Sequence, residues 1–224
     1  MNSTVPLDTG RVMPLSKTAR IMVRHMNEAW QAPMFALVAE IDMTAAMARR
    51  GEGITLTDVI VAACARTLSE HPKLNAHYRE ESVTEFADAN IGLAVAAEKG
   101  LTVPVIHGAQ KLSLAEIGAR RRELVEKTRS GRIRITDVSG GTFTISNLGM
   151  YAITRFTALL NPPQVAILAV GSTNHRQLWN NGDPQWRQCA EFTLTCDHRA
   201  IDGVAGASFL IALKKQLEGP KQSE

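Results

Sequence analysis

The sequence is short of cysteine. Only Cys64, Cys189 and Cys196 occur among 224 residues, an odd number that fits no disulfide framework and points to a reducing, cytoplasmic compartment. Apolar runs of membrane-spanning length are missing, and Met1-Asn2-Ser3-Thr4 lacks a charged-then-apolar leader pattern, so neither a membrane partner nor a secretory signal is expected. Charge of one sign is not in excess either. The formal net charge is +3, and the densest basic run, Arg120-Arg121-Arg122, falls in a helical pattern. It reads as a solvated face, and no nucleic-acid partner is expected. The glycine pairs form neither G-x-G-x-x-G nor a lysine-bearing phosphate loop, which removes nucleotide binding through those motifs. Internal repeats and low-complexity tracts are also absent.

What remains is an ordinary globular composition, 45% apolar and 21% charged, in a chain long enough for a substantial core. Residues 1–13 read as an arm with little structure of its own, 14–218 as the folded domain and 219–224 as a polar tail. Helical spacing covers Leu15 to Trp30 with Ser16 as N-cap, and Pro33 stops it. Met34 to Met43 alternates as a strand, and a short helix capped by Thr44 runs to Arg50. Thr57 is the expected cap of a helix reaching Ser69, with Cys64 on its buried face. Short strands follow at 75–78, 83–86, 91–96 and 101–106, the last two joined as a hairpin through Lys99-Gly100. Ser113 to Arg129 is amphipathic, with Leu114, Ile117, Leu124 and Val125 inward. Gly140-Gly141 leads into a strand at 142–145, and Val165 to Val170 is apolar throughout, as in a strand buried on both faces. Residues 171–184 form a hairpin or loop, and Gln185 to Thr195 a strand. The last helix, Gly203 to Leu217, turns Val204, Ala207, Leu210, Ile211 and Leu213 to one side. The pattern predicts an α/β fold of the α+β type, a mixed β-sheet flanked by helices in one domain.

Chemistry concentrates at Thr193 to Gly206, T-L-T-C-D-H-R-A-I-D-G-V-A-G. A strand ends there by delivering His198 to a charged turn, with Asp202 four residues on. Such a junction holds a general base in one orientation. Two other readings stay open: Asp197, His198, Arg199 and Asp202 as an ion-pair cluster that only secures the turn, and Cys196 with His198 as metal ligands or as a nucleophile pair. Zinc needs three or four ligands, and no second Cys/His pair has matching spacing, so no metal is expected. The other five histidines sit on helix, turn or loop positions that ask for no chemistry. Ser146 ends a second strand at a turn, where its hydroxyl can serve developing negative charge or can simply be a turn serine.

Taken together, D-H-R-A-I-D-G, G-G-T-F-T-I-S-N-L-G and L-N-P-P-Q-V-A-I-L-A-V-G resemble the catalytic domain of the 2-oxoacid dehydrogenase dihydrolipoamide acyltransferases. M-P-L-S-K-T-A-R-I-M-V-R-H-M and K-G-L-T-V-P-V-I extend the resemblance over residues 13–217. It implies a chloramphenicol acetyltransferase-like single domain that moves acyl groups between coenzyme A and a dihydrolipoamide thiol. The lipoyl group is supplied in trans. In that family His198 is the base and Ser146 the oxyanion donor, with Asn147 and Gly149 shaping the serine's turn. Asp202 braces the site, through an arginine salt bridge, while Asp197, Arg199 and Gly203 belong to the structural motif. The resemblance further implies a homotrimer with active sites between subunits, a lipoyl domain partner and dehydrogenase components. The alternatives are a stand-alone acyltransferase that uses coenzyme A with a non-lipoyl acceptor, and a silent trimeric scaffold. The ending Leu217-Glu218-Gly219-Pro220-Lys221-Gln222-Ser223-Glu224 has no apolar anchor, so a trimer that builds no larger cage is expected.

Overall fold

The computed structural model describes residues 10–97, 100–180 and 182–219. Most of the expected arm and tail, and Lys99 of the expected hairpin turn, therefore lie outside the described residues. Ser16 opens α1 (Lys17–Trp30) by accepting the Ala19 amide at 3.1 Å, the N-cap geometry that satisfies an orphan helix donor. Past Pro33 the chain extends as β1 (Met34–Asp42), turns through α2 (Thr44–Ala48) and enters α3 (Leu56–Glu70). Two expected caps move. The Asp42 carboxylate accepts the Thr44 amide, so Thr44 sits inside α2 without capping it. On α3 the cap is Thr55, in a box with Asp58, whose carboxylate accepts from the Thr55 amide at 2.7 Å and hydroxyl at 2.8 Å. The box needs an acid three residues past the cap, and Asp58 stands at that distance from Thr55.

The small antiparallel pair β2 (Ala76–Arg79) and β3 (Ser82–Glu85) comes next. The expected hairpin at 91–106 then forms in two rungs. β4 (Ile91–Leu93) pairs with β7 (Val105–Ile106) and β5 (Val95–Ala97) with β6 (Gly100–Thr102). Pro104, without an amide to donate, stands in the gap between β6 and β7. α4 (Leu114–Arg129) starts on a Ser113–Glu116 capping box, and a short helix that periodicity does not reveal, α5 (Ile135–Val138), leads to β8 (Phe143–Asn147). β9 (Ala166–Val170) is buried at every residue. β10 (Asn174–Asn180) and β11 (Asp183–Asp197) make a long hairpin, so residues 171–184 are largely strand. α6 (Gly203–Glu218) closes the described chain.

The main sheet runs β1-β11-β9-β8-β4-β7, with β10 alongside β11. The β4–β8 and β8–β9 pairs are parallel and the others antiparallel, which makes the sheet mixed. β9 lies in its middle, which is why its sequence is apolar on both faces. On one face Phe143, Ile145, Leu168 and Leu194 share a core with α3 and α6. On the other, Ile167 packs with Ala29 at the end of α1 and with Leu160. The inward side of α6 is Gly206, Phe209, Leu210, Leu213 and Leu217, while Val204 and Ile211 are exposed. The helix is rotated from its expected setting because Gly206 lets it settle on the sheet. A Cβ there would come 2.8 Å from Leu37 and 3.6 Å from the Cys196 sulfur.

Candidate active site

His198 follows the last residue of β11. Its backbone N–H donates to the Pro33 carbonyl at 3.0 Å, and its ring packs on Phe35 with centroids 4.6 Å apart. The side chain is otherwise exposed. Flanking it, buried Asp197 grips Arg199: the carboxylate accepts from the guanidinium at 2.6 and 2.9 Å and from the Arg199 amide at 3.0 Å. That pairing raises the arginine's pKa, and the guanidinium carbon lies 4.1 Å over the Tyr78 ring. Arg199 is thus committed to the turn.

Asp202 has a different partner from the one expected. Among the described residues it is a backbone amide, not an arginine: the carboxylate N-caps α6 by accepting from Ala205 N at 2.8 Å. This bond to the backbone holds its carboxyl below the ordinary carboxylate range, with smaller help from the Lys73 and His198 charges. Gly203 is the first residue of the capped helix. Cys196 is fully buried, and burial, aided by the Asp197 charge, pushes its thiol up to about 12. It stays protonated near neutrality, which rules it out as a thiolate partner for His198. Among the described residues no three His, Cys, Asp or Glu side chains converge as a metal set.

Ser146 is half-buried at the end of β8, and its hydroxyl makes no hydrogen bond to a protein group among the described residues. The following turn is tied by Asn147, whose Oδ1 accepts the Gly149 amide at 2.9 Å and whose Nδ2 donates to the Thr57 hydroxyl at 3.2 Å. Glycine is needed twice. A Cβ on Gly149 would fall 2.9 Å from the Gly171 carbonyl, and one on Gly171 would fall 1.9 Å from the Thr154 carbonyl. Ser146 opens onto a cavity of about 230 Å³ walled by Leu93, Val95, Val125, Ile145 and Tyr151. Arg121 also reaches this cavity, already paired through 2.6 and 3.1 Å bonds to buried Asp58.

Sequence reasoning missed Phe35, Thr57, Gly171 and the Asp58–Arg121 pair. Only Thr55-x-x-Asp58 carried a signal, since its box spacing frees the Thr57 hydroxyl for Asn147. Of the remaining histidines, His77 meets the Gly141 carbonyl at 2.9 Å and burial lowers its pKa, and His71 packs edge-on against Phe209.

The fold does not bring Ser146 and His198 together in one chain. Ser146 aligns with Ala169, and Ala169 with Thr193, so His198 lies five residues further along and two strands over. That is roughly 20 Å at ordinary strand rise and spacing. β8 and β11 also run in opposite directions, so their final residues point to opposite ends of the sheet.

The family described as 2-oxoacid dehydrogenases acyltransferase (catalytic domain) matches residues 8–223. The dihydrolipoyllysine-residue acetyltransferase component 3 of the mitochondrial pyruvate dehydrogenase complex of Arabidopsis thaliana is 41% identical over 174 residues, 76% of this chain and 32% of that protein. The corresponding component from Rickettsia conorii is 32% identical over 94% of this chain and 54% of its own length. The chain thus spans between a third and about half of these relatives. A probable dihydrolipoamide acetyltransferase from Listeria monocytogenes superposes with a TM-score of 0.91 at 29% identity, covering 96% of this chain and 98% of that one. The cubic core of a pyruvate dehydrogenase multienzyme complex gives 0.89 at 29% identity, with 97% of each chain covered. The dihydrolipoamide acetyltransferase of Azotobacter vinelandii gives 0.90 at 28% identity, also over 97% of each. That structure concerns the catalytic roles of a serine, a histidine 52 residues on and an asparagine four further. Chloramphenicol acetyltransferase, at 15% identity and a TM-score of 0.58 over 87% of this chain and 92% of that one, shares the fold.

Proposed function

The chain belongs to the 2-oxoacid dehydrogenase acyltransferase family, as its catalytic domain, and from that premise we propose that it transfers an acyl group between coenzyme A and a dihydrolipoamide thiol. One observation carries the reading. Ser146, His198 and Asp202 are separated by 52 and 4 residues, the spacing of the serine, histidine and asparagine in the Azotobacter enzyme.

Thiols with a pKa of about 8.5 are mostly protonated at pH 7 and need a base. The His198 imidazole takes the proton of the attacking dihydrolipoamide thiol. The new thiolate attacks the thioester carbonyl carbon of acyl-coenzyme A, forming a carbon–sulfur bond and a tetrahedral oxyanion. The free Ser146 hydroxyl donates to that oxygen, an interaction of about 3–4 kcal/mol where such donors have been removed. Collapse breaks the bond to the coenzyme A sulfur, which regains the proton from the imidazolium. Asp197 and Asp202 fix the turn on either side of His198, and Phe35 supports the ring.

Because Ser146 and His198 sit at opposite ends of the sheet, each site is completed by two copies. A homotrimer suits this. The cubic core of the structural neighbour necessarily has three-fold axes, and this chain exposes Val38 on β1 and Ile21, Val23 and Trp30 on α1. The partners in this reading are a lipoyl domain and the dehydrogenase components that load it, in a reducing compartment such as the cytoplasm.

The test mixes subunits. His198→Ala and Ser146→Ala chains, each inactive alone, are co-assembled and assayed with acetyl-coenzyme A and dihydrolipoamide. Random mixing leaves a serine and a histidine facing each other at about a quarter of interface sites, so about a quarter of wild-type activity returns. No recovery, with active wild type, removes the interface reading. An inactive wild type removes the lipoyl acceptor.

A further inference from the structure

The acyl group itself can be read from what surrounds Ser146. Three directions leave a thioester carbonyl carbon. Its oxygen is placed by the Ser146 hydroxyl, and its sulfur must lie toward His198, from which it takes back the proton as the thiolate adds from one face of the plane. The third substituent, the acyl chain, takes the remaining direction, and the space beside Ser146 is the 230 Å³ cavity. A cavity of about 150 Å³ with aliphatic walls holds a benzene-sized guest. An acetyl group would put a single methyl into this larger space.

The walls also say what kind of chain fits. Leu93, Val95, Leu101, Val125 and Ile145 are aliphatic, and Ala94 leaves room between them. Most polar groups at the rim are already used. The Asn147 amide is spent on Thr57 and Gly149, and the Arg121 charge is matched by Asp58. The Ser146 hydroxyl, the phenol of exposed Tyr151 and Arg129, at the exposed end of α4, remain without a salt-bridge or hydrogen-bond partner among the described residues. Resting on the acyl-transfer reading above, we propose that this cavity is an acyl pocket for an uncharged aliphatic chain of about four to six carbons, straight or branched, in preference to acetyl.

The test compares kcat/KM for acetyl-, isobutyryl-, isovaleryl-, hexanoyl- and succinyl-coenzyme A with dihydrolipoamide as acceptor. Isobutyryl or isovaleryl exceeds acetyl by about 10-fold or more, the discrimination that added methylenes bring in an apolar pocket. Two variants move the ratios in opposite directions. Ala94→Leu, which fills the cavity, lowers the isovaleryl-to-acetyl ratio by about 10-fold, and Val125→Ala, on the half-buried side of α4, raises the hexanoyl-to-isobutyryl ratio. Highest kcat/KM with acetyl overturns the proposal. So does highest kcat/KM with succinyl, which would make Arg129 a carboxylate anchor. Unchanged donor ratios with a shifted KM for dihydrolipoamide would assign the cavity to the acceptor arm and overturn it too. Silence with every donor removes acyl transfer itself, and this inference with it, an outcome distinct from an active enzyme that prefers acetyl.

Discussion

The turn that carries His198 and the turn that carries Ser146 are held by different means. Around His198 the charged holding groups are contiguous in sequence, with the Pro33 carbonyl and the Phe35 ring added from the start of β1. Asp197 binds Arg199 two residues away, and Asp202 caps a helix through an amide three residues on. Around Ser146 the holding groups are neutral and come from far along the chain: Thr57 on α3, Gly171 after β9 and the Thr154 carbonyl above it. The contrast fits the two jobs proposed for these residues. A base must meet a thiol arriving from solvent, so its ring is left largely exposed and its charged support is built locally. An oxyanion donor works best where water is scarce and nothing relaxes, so its turn is packed backbone to backbone beside an apolar cavity.

The largest effects should come from removing the two groups proposed to act on the substrate. His198→Ala is expected to lower kcat by about 10²–10⁴-fold and Ser146→Ala by about 10²–10³-fold. Both should leave urea unfolding midpoints nearly unchanged, since His198 is exposed and the Ser146 hydroxyl has no hydrogen-bond partner among the described residues. Steady-state rates alongside equilibrium unfolding check this. A His198→Ala chain that loses stability as well would mean that the imidazole holds its turn, and would break the contrast.

The same contrast explains what could be read in the sequence. The His198 turn lies within seven consecutive residues, so its histidine, acids and helix start were all visible as a string. Ser16 was legible as a cap, and Val165 to Val170 as a central strand, because each depends on local pattern. The Ser146 turn was legible only as a serine at a strand end. Nothing in G-G-T-F-T-I-S-N-L-G says that Asn147 reaches Thr57, 90 residues back, or that Gly171 lies under the Thr154 carbonyl. The α6 face was only partly legible, with Leu210 and Leu213 inward as expected but Val204 and Ile211 exposed, for a related reason. Apolar spacing weighs Val204 and Ile211 as core, yet the close approach is made at Gly206, which has no side chain to weigh.

Next in size is Gly171→Ala. The added methyl meets a backbone carbonyl rather than the end of a flexible side chain, so the segment must shift, at a cost near the top of the about 1–3 kcal/mol typical of overpacking. Thermal or urea unfolding reads it, and a fall in kcat should accompany it because the Ser146 turn rests on this contact. Asn147→Ala comes after it. It removes two hydrogen bonds and leaves the Gly149 amide without its acceptor, which costs about 1–2 kcal/mol. If Asn147→Ala lowers stability but leaves kcat untouched, the turn does not aim Ser146.

The smallest effect separates the two turns by charge alone. Asp202→Asn keeps an N-cap of nearly equal quality, so at neutral pH the urea midpoint should barely move. Acid should tell the two apart. The Asp202 carboxyl is held below its ordinary value by the Ala205 amide, so the folded state binds its proton less readily than the unfolded chain does. The stability it contributes is therefore complete above the ordinary carboxylate value of about 4 and is lost as pH falls through the lower folded value. Asparagine takes up no proton there. Urea midpoints at pH 5.5 and pH 3, at one protein concentration, should fall further for the wild type than for Asp202→Asn. Asp137, whose carboxyl Arg134 holds at about 2, titrates in both chains and cancels in the difference. Equal falls would mean that the cap is made by geometry and not by charge, and the Asp197–Arg199 pair would then be the charged support of the His198 turn.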